Sequence, residues 1–213
     1  MGYNAHMPAM KAPLLGLVTT NSTVSTTSIW RRMFFFRESL RNLRSTGSVL
    51  PSSRFLCRGI VKHIDTKIAL TVVELGPGDG VITRYILEKL QPNARLIIFE
   101  INNMFIEKIR DRFDDTGLTI IHDSAENMEV HFQKMGIEKV DYFVSGIPFM
   151  MLPALLAKSI TRSCLHFLNP NGKFIQFHYS PIMLSFYSSI FNHVSMSMVA
   201  LNIPPAWVIA CNK

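Results

Sequence analysis

The sequence predicts an α/β protein whose mostly parallel sheet ends in an antiparallel hairpin. Three observations predict it. From Thr71 onward, short runs rich in Val, Ile and Phe alternate with helical stretches, at the lengths of repeated βαβ units. A glycine-rich turn, "GPGDG" (Gly76 to Gly80), joins the first of these strands to the first helix. The last two strand-like runs are separated only by Ile203-Pro204-Pro205, which is too short for a crossover helix, so they are expected to pair antiparallel.

The expected strands are "TVVEL" (Thr71 to Leu75), "ARLIIFE" (Ala94 to Glu100), "LTIIH" (Leu118 to His122), "VDYFVSG" (Val140 to Gly146) and "GKFIQFHY" (Gly172 to Tyr179). Helices are expected to begin near Gly80, Asn102, Ser124 and Leu152. After Tyr179 come a helical stretch, "IMLSFYSSIF", and the two late strands "VSMSMVALN" and "AWVIAC". Residues 68–213 are therefore one ligand-binding domain.

Two segments precede it. Residues 1–28 are rich in Ser, Thr, Asn and Pro and hold no acidic residue, and "NSTVSTTS" is of low complexity; this tail is expected to be disordered. Residues 29–67 form a basic leader. In "IWRRMFFFRESLRNLR", Ile29, Met33, Phe36, Leu40 and Leu43 share one helical stripe, with Arg37, Arg41 and Arg44 along its flank. Bulky aromatics beside basic residues on such a helix suit an anionic membrane surface. "STGSVLPSSR" breaks the helix, and Ser52, Ser53 and Arg54 open the next one.

Composition narrows the classes. The chain has 213 residues, 48% hydrophobic and 17% charged, enough for a sizeable core. Its net charge of +7 favours a polyanionic partner, membrane or nucleic acid. Its three cysteines show no paired spacing, so reduced thiols are expected. No apolar run approaches the ~20 residues of a membrane-spanning helix, and no metal-ligand cluster is visible.

The glycine turn reads Gly76-x-Gly78-x-Gly80. The dinucleotide fingerprint requires a third glycine where Val81 stands, and no Gly-Lys-Ser/Thr follows for a phosphate loop. A bare turn without lysine suits a ligand that lacks phosphates. Glu100 ends the next strand, where a carboxylate can grip ribose hydroxyls, and Asp123 follows the third strand, where an adenine amine can be read. Glu74 precedes the glycines, placed to support the turn or a ligand ammonium. This ordered set resembles the S-adenosylmethionine site of class I methyltransferases, and the resemblance implies a Rossmann-like sheet and that cofactor.

For the acceptor, amino methyltransferases acting on adenine and cytosine carry an [Asn/Asp]-Pro-Pro-[Tyr/Phe]-like motif after the fourth strand. Here "SGIPF" stands there, with Ser145 read in place of the amide or carboxylate and Phe149 as the aromatic. That departure weakens the nucleobase reading. The stretches "FFFRESLRNLRSTGSVLPSSRFL", "VVELGPGDGVITRYIL", "SGIPFMMLP", "GKFIQFHYSP" and "NIPPAWV" resemble the soluble bacterial phospholipid N-methyltransferases. The resemblance implies stepwise methylation of phosphatidylethanolamine towards phosphatidylcholine, by a cytoplasmic enzyme peripherally bound to the inner face of the membrane. Related enzymes that methylate ornithine lipids, and RNA adenine methyltransferases of the dimethyladenosine type, are the alternatives, nucleic acid being the less expected partner. On this reading Tyr179, Phe149 and Ser145 serve the reacting amine, and Ser52, Ser53, Arg54 and His178 contact the lipid head group. Arg54 would bind its phosphate and Phe149 would place a ring near the cationic centres.

Overall fold

The computed structural model describes residues 52–113 and 118–213; the expected tail and the amphipathic helix of residues 29–44 lie outside them. A seven-stranded sheet runs through the molecule in the order β3-β2-β1-β4-β5-β7-β6. β1 (Thr71–Leu75), β2 (Arg95–Phe99), β3 (Thr119–Ile121), β4 (Val140–Ser145) and β5 (Leu168–His178) are parallel. β6 (His193–Val199) and β7 (Ala206–Asn212) form the antiparallel hairpin, and β7 pairs antiparallel with β5. The expected architecture is therefore the observed one.

Every residue of β1 is buried, because helices cover both faces of a parallel sheet. Alternate residues feed two cores. Val73 and Leu75 join Phe143, Phe149 and Phe174 on one face. Val72 joins Leu56, Ile60 and Ile98 on the other, under α1 (Arg54–Val61), α2 (Val81–Leu87) and α3 (Asn103–Phe113). The first face is covered by α4 (Met128–Met135), α5 (Ala154–Phe167) and the short α6 (Leu184–Ser188). Each fully buried aliphatic side chain contributes about 1.5–3 kcal/mol.

Two elements differ from the sequence expectation. β5 begins at Leu168, four residues before Gly172, and its pairing with β4 shifts register between Val140 and Tyr142. "IMLSFYSSIF" is not one helix. Ser180 caps a 3-10 turn at Pro181–Met183, and α6 follows for only five residues.

α1 matters for the site because it seats the start of the domain on the hairpin. Ser53 caps it by accepting the Leu56 N–H at 3.2 Å. Its Gly59 lies so close to the sheet that a Cβ there would meet Val199 Cγ2 at 2.8 Å. The backbone N–H of Ser53 also donates to Asn202 Oδ1 in the β6–β7 turn at 3.2 Å.

Candidate functional site

All five parallel strands end at one edge of the sheet, and ligands in open α/β folds bind outside that edge. The turn after β1 lies at its centre. Gly76, Gly78 and Gly80 have φ of 65°, 62° and 75°, a left-handed conformation that disfavours side chains. The Gly76 N–H donates to Phe99 O and the Gly146 N–H to Leu75 O, both at 2.8 Å, which ties the turn to β2 and β4.

Two carboxylates brace the turn. Glu100 is buried; it accepts the N–H of Ile101 at 2.8 Å and of Asn102 at 2.9 Å on one oxygen, and of Gly78 at 3.3 Å on the other. Glu74 is buried in β1 and accepts the Thr83 hydroxyl at 2.7 Å, linking the strand to the first turn of α2. Burial, reinforced by the charges of Glu100 and Asp79 and opposed by Thr83, pushes the Glu74 carboxyl up to about 8.

Asp123 lies beyond β3. It accepts the Ser124 N–H at 2.7 Å, Asn127 Nδ2 at 2.9 Å and faces His131 Nε2 at 2.8 Å. Burial would raise its carboxyl, but the bonds from His131, Asn127 and Ser124 outweigh it and hold the group below the usual carboxylate range. The structure thus bonds Gly78 to Glu100 and ties Glu74 through Thr83 and Gly76 through Phe99 to the same turn, with Asp123 one strand further out.

The acceptor side departs from the sequence expectations at three residues. Ser145, the last residue of β4, is fully buried, and its hydroxyl accepts the Ile147 N–H at 3.2 Å, so it shapes the turn after β4. Phe149 is buried edge-on against Phe174 and Tyr187, at centroid distances of 6.2 and 6.4 Å; its ring serves the core rather than a cation. His178 is buried with Nε2 2.9 Å from Tyr187 Oη, and burial pushes its imidazole down to about 4, so it is a neutral interior partner.

The motif itself moves by one residue. The position three before Phe149 is Gly146, and a Cβ there would fall 2.5 Å from Gly76 O. No side chain fits, so the cofactor turn itself excludes an amide at this place. Gln176, paired in register with Ser145, holds the same turn by donating from Nε2 to Ile147 O at 3.1 Å.

Other expected residues do converge. Tyr179 is half-exposed just past β5; burial raises its hydroxyl pKa, partly offset by a hydrogen bond with Asn202. Asn202 also receives the Ser53 N–H, so it gathers Ser52, Ser53 and Arg54 to the same corner. Arg54 is exposed, its guanidinium 4.9 Å from the Phe55 ring centre. Asn202, Thr83, Gly146, His131 and Tyr187 were not legible as site residues, because each acts on a partner distant in sequence. Gly146 alone left a trace, as a glycine directly after a strand.

A depression of about 460 Å³ lined by Leu155, Lys158, Arg162 and His166 runs along the outer face of α5. Among the described residues no group of three or more His, Cys, Asp or Glu is placed to hold a metal.

A bare left-handed glycine turn, braced by buried carboxylates at the carboxyl edge of a 3-2-1-4-5-7-6 sheet, defines a class I S-adenosylmethionine-dependent methyltransferase. The chain belongs to the ribosomal RNA adenine dimethylase family, which matches residues 42–164. It is 31% identical over 179 residues to the ornithine lipid N-methyltransferase of Singulisphaera acidiphila, a match covering 83% of this chain and 93% of that protein. It is 26% identical to the ribosomal RNA small subunit methyltransferase A of Mycoplasma mycoides, over 52% of this chain and 41% of that one. In fold it is similar to the Burkholderia thailandensis 1,6-didemethyltoxoflavin-N1-methyltransferase with bound S-adenosylhomocysteine, at a TM-score of 0.65 and 13% identity over 96% of this chain and 93% of that one.

The residues present fit the cofactor. The turn has no lysine for phosphates, and its bare backbone lets a ligand approach closely.

Proposed function

We propose that the chain transfers methyl groups to the amine of a membrane-lipid head group. The observation that carries this reading is the extent of its likeness to an ornithine lipid N-methyltransferase, which runs over 93% of that protein, while the likeness to the ribosomal RNA enzyme covers 41% of it. Gly146 agrees with it, since the amide of a nucleobase-binding motif has no room there. The amine of an ornithine lipid and that of phosphatidylethanolamine are both in scope, with the ornithine amine favoured by that relative.

When bound, S-adenosylmethionine supplies a methyl group already activated on sulfur, so the protein mainly aligns a neutral amine with it. Gly76, Gly78 and Gly80 let the backbone approach the cofactor; Glu100 and Asp123 hold its ribose and adenine; Glu74, through Thr83, keeps the turn in place. Tyr179 keeps its proton at neutral pH, and on this reading its oxygen accepts an N–H of the amine and so orients the lone pair. Arg54, at the start of α1 and close to Asn202, offers a planar fork to the head group's phosphate or carboxylate.

The test is incubation with labelled S-adenosylmethionine and, separately, ornithine lipid, phosphatidylethanolamine and ribosomal RNA. Label in a lipid fraction is the expected result. Label confined to RNA overturns the reading. Tyr179→Phe is expected to lower kcat more than it raises KM; equal thermal stability with unchanged kcat removes Tyr179 from that role.

A further inference from the structure

Among the described residues, the four most exposed large apolar side chains lie at the carboxyl edge. Met150 and Met151 lie in the turn after β4, and Leu155, 83% exposed, opens α5 beside them. Ile182, 67% exposed, lies in the 3-10 turn after β5. Leu201 and Ile203, 66% and 76% exposed, form the tip between β6 and β7, a tip that the antiparallel pairing of β7 with β5 brings to the same edge. Among the described residues, Ile68 and Leu70 lie at the opposite edge, just before β1, and Met104, Val130 and Met198 are exposed outside this rim. Apolar side chains scattered singly need no explanation, but a rim of them around a ligand edge does.

From this rim we propose that the carboxyl edge is the face that docks on an anionic phospholipid bilayer, with Leu201, Ile203, Ile182 and Leu155 entering the interface around the mouth of the cofactor site. The proposal rests on the lipid-amine reading above and adds which surface meets the membrane. Three features argue for a bilayer as the occupant. The rim flanks, on the β4 to β6 side, the edge where the cofactor turn ends β1, so a lipid amine can reach the reacting centre while its acyl chains stay in the membrane. Arg54, exposed, sits at the same corner, tied through Ser53 to the Leu201–Ile203 tip by Asn202. The sequence before Ser52 carries Arg31, Arg32, Arg37, Arg41 and Arg44, and Ser53 bonds to this tip, so that basic leader is expected to act beside the rim. Basic groups beside inserted apolar side chains are the arrangement an anionic bilayer attracts. Among the described residues no helix is long and apolar enough to cross a membrane, so surface docking is the contact available to them.

The natural cysteines, Cys57, Cys164 and Cys211, are buried, which permits selective labelling of an introduced thiol. The full chain carrying Ile203→Cys is labelled with a polarity-sensitive fluorophore, and Ile68→Cys serves as the opposite-edge control. Vesicles of phosphatidylglycerol and phosphatidylethanolamine are expected to blue-shift the label at 203 and leave the label at 68 unchanged. Separately, Leu201→Ser/Ile203→Ser is expected to weaken binding to these vesicles by about tenfold or more. Its cofactor affinity and its turnover on a monomeric short-chain lipid amine should stay at wild-type level. Equal vesicle binding by this variant, with wild-type cofactor affinity, overturns the proposal. So does a label at 203 that is already shifted without vesicles: if independent of protein concentration it assigns the rim to the chain's own leader, and if it grows with concentration, to a second copy. If the wild-type chain labels RNA and no lipid, the functional reading falls, while the shift at 203 against 68 still judges the docking face.

Discussion

Between Gly76 and Glu100 the carboxyl edge is lined by backbone amides and buried carboxylates; between Phe149 and Ile203 it is lined by methionine, leucine and isoleucine side chains over a buried aromatic layer. The first half binds by backbone shape. Its turn is held from three sides, by β2 through Phe99, by β4 through Gly146 and by α2 through Thr83 and Glu74. The second half has few polar groups on its surface. Its histidine and phenylalanine face inward, and its hydroxyl, Tyr179, stands at the rim. The difference teaches where each kind of specificity resides. A conserved chemical ligand is met by a rigid polar cradle, whereas the partner half is a shell whose surface chemistry can change without disturbing that cradle.

Breaking the cradle is expected to give the largest effect. Gly78→Val places a β-branched side chain at φ 62°, a conformation that costs at least about 1–2 kcal/mol for an L residue. Calorimetry should find S-adenosylmethionine binding lost by more than about a hundredfold while the far-ultraviolet spectrum stays native. Wild-type affinity in this variant would remove the turn from the cofactor site. Glu100→Ala comes next. It leaves the N–H groups of Gly78, Ile101 and Asn102 without their shared acceptor, and cofactor affinity should fall by about 2–4 kcal/mol.

The smallest effect sharpens the comparison, because each half buries one titratable group of opposite sign. Burial pushes the Glu74 carboxyl from its ordinary 4.5 up to about 8, so between those values the folded state holds a proton that the unfolded chain has released. Its contribution to stability falls as pH rises through that window. His178 titrates at about 4 against 6.5, so between those values the unfolded chain binds a proton that the fold refuses. Its contribution falls as pH drops. Denaturant midpoints across pH 4 to 9 should therefore lose their alkaline slope in Glu74→Gln and their acid slope in His178→Phe. An unchanged slope in either variant would mean that burial is not controlling that group.

The cofactor half was legible in the sequence because its signals are local. Glu74, the three glycines and Glu100 sit at the ends of consecutive βα units, where parallel topology brings strand ends together whatever the rest of the chain does. The acceptor half was not. Phe149, His178 and Ser145 have the residue types of a substrate pocket, but each is buried: Phe149 against Phe174 and Tyr187 far along the chain, His178 against Tyr187 in the short helix α6 that the sequence did not resolve, and Ser145 in the close-packed turn at Gly146.

By itself the sequence determined the sheet with its terminal hairpin and the glycine turn with its carboxylates. Those follow from hydrophobic period, turn chemistry and connection length, all of which act over a few residues. Only the tertiary structure decided that position 146 has no room for a side chain, that Asn202 ties Ser53 to the corner of Tyr179, and that Leu155, Ile182, Leu201 and Ile203 share one edge. Close approach of two backbones, and the gathering of exposed side chains from three separate turns, depend on packing between elements that no local pattern encodes.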